Sequence, residues 1–149
     1  MKRIHTILFG LAIIGLAGLI NCGGDSEPTP QEKAIQMLTS KSSWTLNSVI
    51  VPPQTATIAD DWTGFTVSFT QTSMTTAGYP SESSAVWPSG SYTVSTDGTT
   101  ITSSAAVAGW SLKIATLTST AFNSTVTVPD GVETGRVEAL DGDYTFNMK

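Results

Sequence analysis

The feature that most constrains this chain is a two-residue rhythm of apolar side chains running from Ser43 to the last residue. That spacing puts alternate side chains on opposite faces of a pleated strand, whereas an amphipathic helix repeats its apolar positions every three or four residues. Phe65, Val67 and Phe69 alternate with Thr66, Ser68 and Thr70 in the cleanest run. Trp44 to Val51 precedes it and stops at Pro52-Pro53, which cannot donate to a ladder. Further runs follow at Met74 to Tyr79, Ser91 to Ser95 and Thr99 to Ser103, then around Trp110, Leu112 and Ile114, from Phe122 to Val128, and from Tyr144 to Met148. Thr96-Asp97-Gly98-Thr99 reads as a tight turn in which Asp-Gly supplies the positive φ angles of a two-residue hairpin. Eight short strands joined mostly by short links predict an all-β antiparallel meander. Closing it into an up-and-down barrel removes both edges, with the first strand paired to the last. A two-sheet β-sandwich uses the same alternation and is the alternative.

Composition agrees with strands and narrows the chemistry. Ser and Thr make up more than a quarter of the 149 residues, 40% are apolar and only 13% are charged, a bias towards strands and turns in a single folded domain. His5 is the only histidine and Cys22 the only cysteine. A domain beginning at Cys22 therefore lacks imidazole and has its one thiol at the start. This excludes Ser-His-Asp and Cys-His catalysis and His or thiolate metal sites. Five Lys and Arg against twelve Asp and Glu remain from Cys22 onward, so there is no electrostatic footprint for nucleic acid.

The N-terminus carries an address. Lys2 and Arg3 precede the apolar run from Ile7 to Ile20, which reads as a signal peptide over residues 1–21. The run ends Leu19-Ile20-Asn21-Cys22-Gly23-Gly24, which resembles the lipobox of bacterial lipoproteins. The resemblance implies that Cys22 is acylated, becomes the first mature residue and anchors the chain to a membrane. Gly23 stands where an Asp would mark inner-membrane retention, so the expected location is the cell envelope at the outer membrane. Residues 22–30 hold the lipidated Cys and a flexible tether whose Gly, Pro and acidic residues offer no apolar side chain to bury. Thr29-Pro30-Gln31-Glu32 has capping-box spacing and precedes Ala34, Ile35, Met37 and Leu38, predicting one short helix packed on the sheet as a lid or plug.

From Ala34 to Lys149 the chain resembles small bacterial lipoproteins of Bacteroidetes type that carry a lipocalin-like domain. The resemblance rests on Cys22-Gly23-Gly24-Asp25, the helix leading into Ser43-Trp44-Thr45-Leu46, the eight strands, and the closing Gly142-Asp143-Tyr144-Thr145-Phe146. In that family a Gly-x-Trp opens the first strand and the Trp closes the barrel base beneath a basic residue near the last strand; here Ser42 takes the place of Gly while Trp44 matches, and Arg136 is the candidate basic partner. The resemblance implies a lipocalin-like barrel over residues 31–149 with a ligand-binding or accessory role, and no catalytic residue.

Trp44, Phe65, Phe69, Tyr92, Trp110, Phe122, Tyr144 and Phe146 supply large apolar bodies to one face, and an eight-stranded barrel either fills with such side chains or holds one small ligand. The ligand expected there is apolar or amphipathic, because the strands offer almost no charge to pair with one. The ligand-binding candidates are Trp62, Trp87, Tyr92, Trp110 and Phe122. Trp62 and Trp87 lie in loop sequence, so two readings stand: exposed indoles that stack on glycan or on a partner protein, or caps folded back over the barrel mouth. A third possibility is a filled barrel serving as a structural envelope subunit. Asp60-Asp61, Asp130 and Asp141-Gly142-Asp143 lack the spaced ligand pattern of a calcium loop. No nucleophile or phosphate-binding motif is present. The expectation is a non-enzymatic protein without metal or cofactor.

Overall fold

The computed structural model describes residues 27–53, 62–80, 83–131 and 140–149. Cys22 and the leader, Asp60, Asp61 and Arg136 lie outside them. Helix α1 (Pro30–Leu38) is followed by β1 (Trp44–Ile50), β2 (Thr66–Phe69), β3 (Ser73–Ala77), β4 (Gly90–Val94), β5 (Thr100–Ser103), β6 (Ser111–Leu117), β7 (Phe122–Val128) and β8 (Gly142–Met148). The strands form a closed barrel in sequence order. Every neighbouring pair is antiparallel, and β1 closes on β8 with Val49 opposite Phe146 and Ile50 opposite Thr145. The lipocalin-like up-and-down barrel is thus the architecture adopted, and the sandwich is not.

Side-chain alternation sets the inner face. In β7, Phe122, Ser124, Val126 and Val128 are buried while Thr127 is exposed, and in β8 Tyr144, Phe146 and Met148 point inward. Burying each large apolar side chain contributes about 1.5–3 kcal/mol. In two strands the rhythm slips by one residue. β1 turns Trp44 and Leu46 inward and then Val49, and its register against β8 shifts between Leu46 and Ser48. β6 goes from Leu112 and Ile114 to Leu117 with a shift between Ile114 and Thr116. Each slip is a β-bulge, which inserts one residue and returns the following apolar side chain to the interior.

The two ends of the barrel differ. At the base, the three short turns are each held by a hydroxyl. Thr70 Oγ1 accepts from the N–H groups of Thr72 and Ser73 at 3.3 and 3.0 Å. Thr118 Oγ1 accepts from Thr120 and Ala121 at the same distances, and Ser95 Oγ from Thr99 and Thr100 at 3.3 and 2.9 Å. Part of the Ser and Thr bias therefore goes into turn chemistry. The turn at Asp97-Gly98 is longer than the two-residue hairpin expected: β4 ends at Val94, β5 resumes at Thr100, and Gly98 N–H closes on Ser95 O at 2.9 Å.

Helix α1 covers the base. Its capping box forms as expected, with Glu32 N–H donating to Thr29 Oγ1 and Thr29 N–H to Glu32 Oε2. Ala34 and Leu38, one turn apart, are buried. Gln31 Nε2 donates to Val94 O at 2.6 Å, fixing the helix over the β4–β5 turn. There Gly98 has φ +75°, and a Cβ on it would meet Pro30 O at 2.6 Å. Glycine is required both for the backbone angle and for the close approach of the helix. At the opposite end, or mouth, lie the described residues of the four longer connections, 51–53 and 62–65, 78–80 and 83–89, 104–110, and 129–131 with 140–141.

Candidate functional site

Each mouth connection sends a bulky apolar side chain inward. Trp62 comes from the first, Val86 and Trp87 from the second, Trp110 from the end of the third and Leu140 from the fourth, all at most 5% exposed. Backbone carbonyls fix two of these insertions: Trp110 Nε1 donates to Val86 O at 3.0 Å, and Tyr144 Oη donates to Leu140 O at 2.9 Å. Where β4 has only begun to pair with β3, Ser89 Oγ accepts from Thr76 N–H at 3.0 Å, and Thr76 Oγ1 donates to Trp87 O at 3.2 Å.

Inside, the aromatic rings form two groups. Towards the mouth, Trp62 packs on Phe65, Phe146 and Tyr144 with ring centroids 5.2, 5.0 and 6.4 Å apart. Trp87 packs on the same Phe65 and Phe146 at 5.5 and 5.4 Å. Towards the base, Phe122 meets Trp44 at 5.7 Å and Phe69 at 5.8 Å, while Phe69 meets Tyr92 at 5.4 Å. The Trp87–Phe122 contact at 6.4 Å joins the groups. Most of these pairs are edge-on or tilted, the arrangement favoured by ring quadrupoles.

The five candidates thus take different places. Trp62 and Trp87 share one cluster, which Phe122 reaches from below. Tyr92 belongs to the base, where its hydroxyl donates to Thr70 O at 2.7 Å and burial raises its pKa above the usual 10.0. Trp110 pins the second connection at the mouth. The reading of Trp62 and Trp87 as exposed stacking surfaces is corrected: they are 1% and 0% exposed, because Phe65 and Phe146 offer an apolar platform that the surrounding loop residues do not. They fold back over the mouth instead. At the base, Trp44 Nε1 donates to Leu38 O at 2.9 Å, and Lys41 Nζ sits 4.8 Å from its ring centroid. Lys41, not singled out from the sequence, makes a cation–π contact with Trp44, while Arg136, the basic partner expected from the resemblance, lies outside the described residues.

The electrostatics of the interior are those of an uncharged space. Among the described residues the buried polar ones are Thr76, Ser83 and Ser124, and none is charged. Among the described residues four buried side-chain atoms make no hydrogen bond: Trp62 Nε1, Trp87 Nε1, Ser83 Oγ and Ser124 Oγ. An unpaired buried group of this sort costs about 1–3 kcal/mol. Ser83 and Ser124 carried no signal in a chain so rich in hydroxyls, since only burial sets them apart. Among the described residues no group of three His, Cys, Asp or Glu is placed to hold a metal ion, and no helix is long and apolar enough to cross a membrane.

Fold and interior together define a class: an eight-stranded up-and-down barrel, covered at one end by a helix and closed at its loop-bearing end by inserted apolar side chains, with an aromatic interior in which no described buried residue is charged. Comparison with protein-family models, with curated proteins and with solved structures finds no match.

Proposed function

We propose that this chain is a lipid-anchored, non-enzymatic protein of the cell envelope, held at the outer membrane through acylated Cys22, whose barrel takes up a small apolar or amphipathic molecule. The observation that carries the reading is the asymmetry of the barrel. Helix α1, Trp44 and three hydroxyl-locked turns occupy the base. The mouth is occupied by side chains on connections rather than on strands. A shift of Trp62 and Trp87 that admits a guest beside them breaks no strand pairing, because both lie outside the ladders. What they uncover is aromatic and uncharged, which suits an apolar guest. The lipobox resemblance at Cys22 supports the anchor, and the polar segment Gly23 to Pro30 supports a tether between lipid and domain.

A fluorescent hydrophobic probe tests this reading. Titrated against the chain from Ser26, which contains every described element, it is expected to bind saturably and to quench Trp emission. Flat titrations with several probes of different size would leave a packed barrel serving as a structural subunit.

A further inference from the structure

The four tryptophans divide into two pairs. Trp44 and Trp110 donate their indole N–H groups to Leu38 O and Val86 O at 2.9 and 3.0 Å. Trp62 and Trp87 are equally buried and donate to nothing. The unsatisfied pair is not scattered. Both indoles pack on Phe65 and Phe146, with centroids 5.0 to 5.5 Å from those rings. Ser124, whose hydroxyl also lacks a partner, lies directly opposite Phe146 in the β7–β8 register. It is two residues from Phe122, which Trp87 touches. Three of the four orphaned polar groups described thus belong to residues that pack on Phe146 or lie opposite it. Native interiors rarely leave such groups unpaired without a reason.

The chemistry of these groups selects what would complete them. An indole N–H donates and cannot accept, and a hydroxyl does either, so the matching group is a hydrogen-bond acceptor. No described buried residue is charged, so a carboxylate or phosphate would enter without a counter-charge and be strongly disfavoured. A carbonyl oxygen is neutral and has two lone pairs, enough for two donors. We infer that the barrel recognises a neutral carbonyl-bearing apolar molecule, of the ketone, ester or lactone class, through the indole N–H groups of Trp62 and Trp87. This rests on the binding role proposed above and specifies the ligand's polar group.

The test uses full-length protein carrying 15N at its four indoles, in short-chain detergent micelles, titrated with 2-nonanone, nonane and nonanoate. The ketone is expected to move the Trp62 and Trp87 indole N–H resonances downfield saturably while those of Trp44 and Trp110 stay in place. Nonane and nonanoate are each expected to bind at least about tenfold more weakly. Trp62→Phe and Trp87→Phe, which keep an aromatic ring and remove the donor, are expected to lower the preference for the ketone over nonane about tenfold, whatever the smaller ring does to both. If the ketone and nonane bind equally and no indole resonance moves downfield, the carbonyl inference is wrong while the binding role stands. If none of the three binds, the binding role fails and takes the inference with it. Indole cross-peaks to slowly exchanging water that the ketone does not displace would show that a buried water completes the donors, and would overturn the inference.

Discussion

Replacing Gly98 by Ala tests how helix α1 is held on the barrel, and Gly131 provides an internal control. Both glycines have left-handed backbone angles, φ +75° and +81°. Placing an L-residue there costs about 1–2 kcal/mol, partly offset by about 0.4–1 kcal/mol from the stiffer unfolded chain. At Gly131 a Cβ would meet nothing within 4 Å, so that balance, about 1 kcal/mol, is the whole expected effect. At Gly98 the same Cβ would lie 2.6 Å from Pro30 O and 3.0 Å from Pro30 C. These are backbone atoms of the helix's first turn and cannot rotate away, so the helix must shift. The shift strains the Gln31–Val94 hydrogen bond, a loss of about 1 kcal/mol. It also loosens the packing of Ala34 and Leu38, for which about 1 kcal/mol is a moderate share of their burial. Gly98→Ala is therefore expected to cost about 3 kcal/mol. Urea unfolding followed by Trp emission measures both variants, with far-ultraviolet circular dichroism checking that the strands persist. A Gly98→Ala cost within about 0.5 kcal/mol of the Gly131→Ala cost, the scatter expected of an uneventful surface change, would show that the helix does not depend on this contact.

Trp44→Phe and Trp110→Phe each strip the donor from a buried carbonyl, and chemical denaturation should find them less stable than Trp62→Phe and Trp87→Phe by about 1 kcal/mol or more, since the latter pair lose only ring volume. The carboxyl of Glu32 is held below its usual 4.5 by the Thr29 backbone N–H and hydroxyl, and that of Asp97 below its usual 3.8 by the Ser95 hydroxyl and the Thr99 N–H. Because folding lowers both values, their contribution is present above the unfolded-state pKa and is lost as pH falls through the lower folded one. Stability should therefore decline below about pH 4.5, and Glu32→Gln with Asp97→Asn should flatten that decline in melts from pH 6 to pH 2. Mass spectrometry of the N-terminal peptide from envelope-extracted protein should find Cys22 first and carrying acyl mass; an intact leader on unmodified Cys22 would contradict the anchor.

Where apolar and polar residues alternate without interruption, the fold was legible from the residues themselves. Phe122 to Val128 forms β7 with the bounds its pattern implies, and Thr29 with Glu32 marks the start of α1. The bulges in β1 and β6 were not legible. Asn47 and Ser48 are both polar, and Ala115 and Thr116 both suit an outer face, so one extra residue leaves no trace until the partner strand fixes the register. The Asp97-Gly98 turn was located correctly but read too short, because Ser95 binds the N–H groups of Thr99 and Thr100 and holds the strands apart for a longer loop. The candidate site exposes the same limit. Local context set Trp62 and Trp87 among loop residues, while their burial is decided by Phe65 and by Phe146 from the last strand. Ser83 and Ser124 differ from other serines only in where the closed barrel puts them.

Intermolecular nuclear Overhauser contacts between a bound apolar probe and the protein locate the guest directly. If the barrel is a binding chamber reached from its loop end, the probe's methyl protons will show contacts to the rings of Phe65, Phe146, Trp62 and Trp87. Contacts confined to outward-facing residues such as Ile50 and Val107, both exposed, would place the probe on the surface and contradict the chamber.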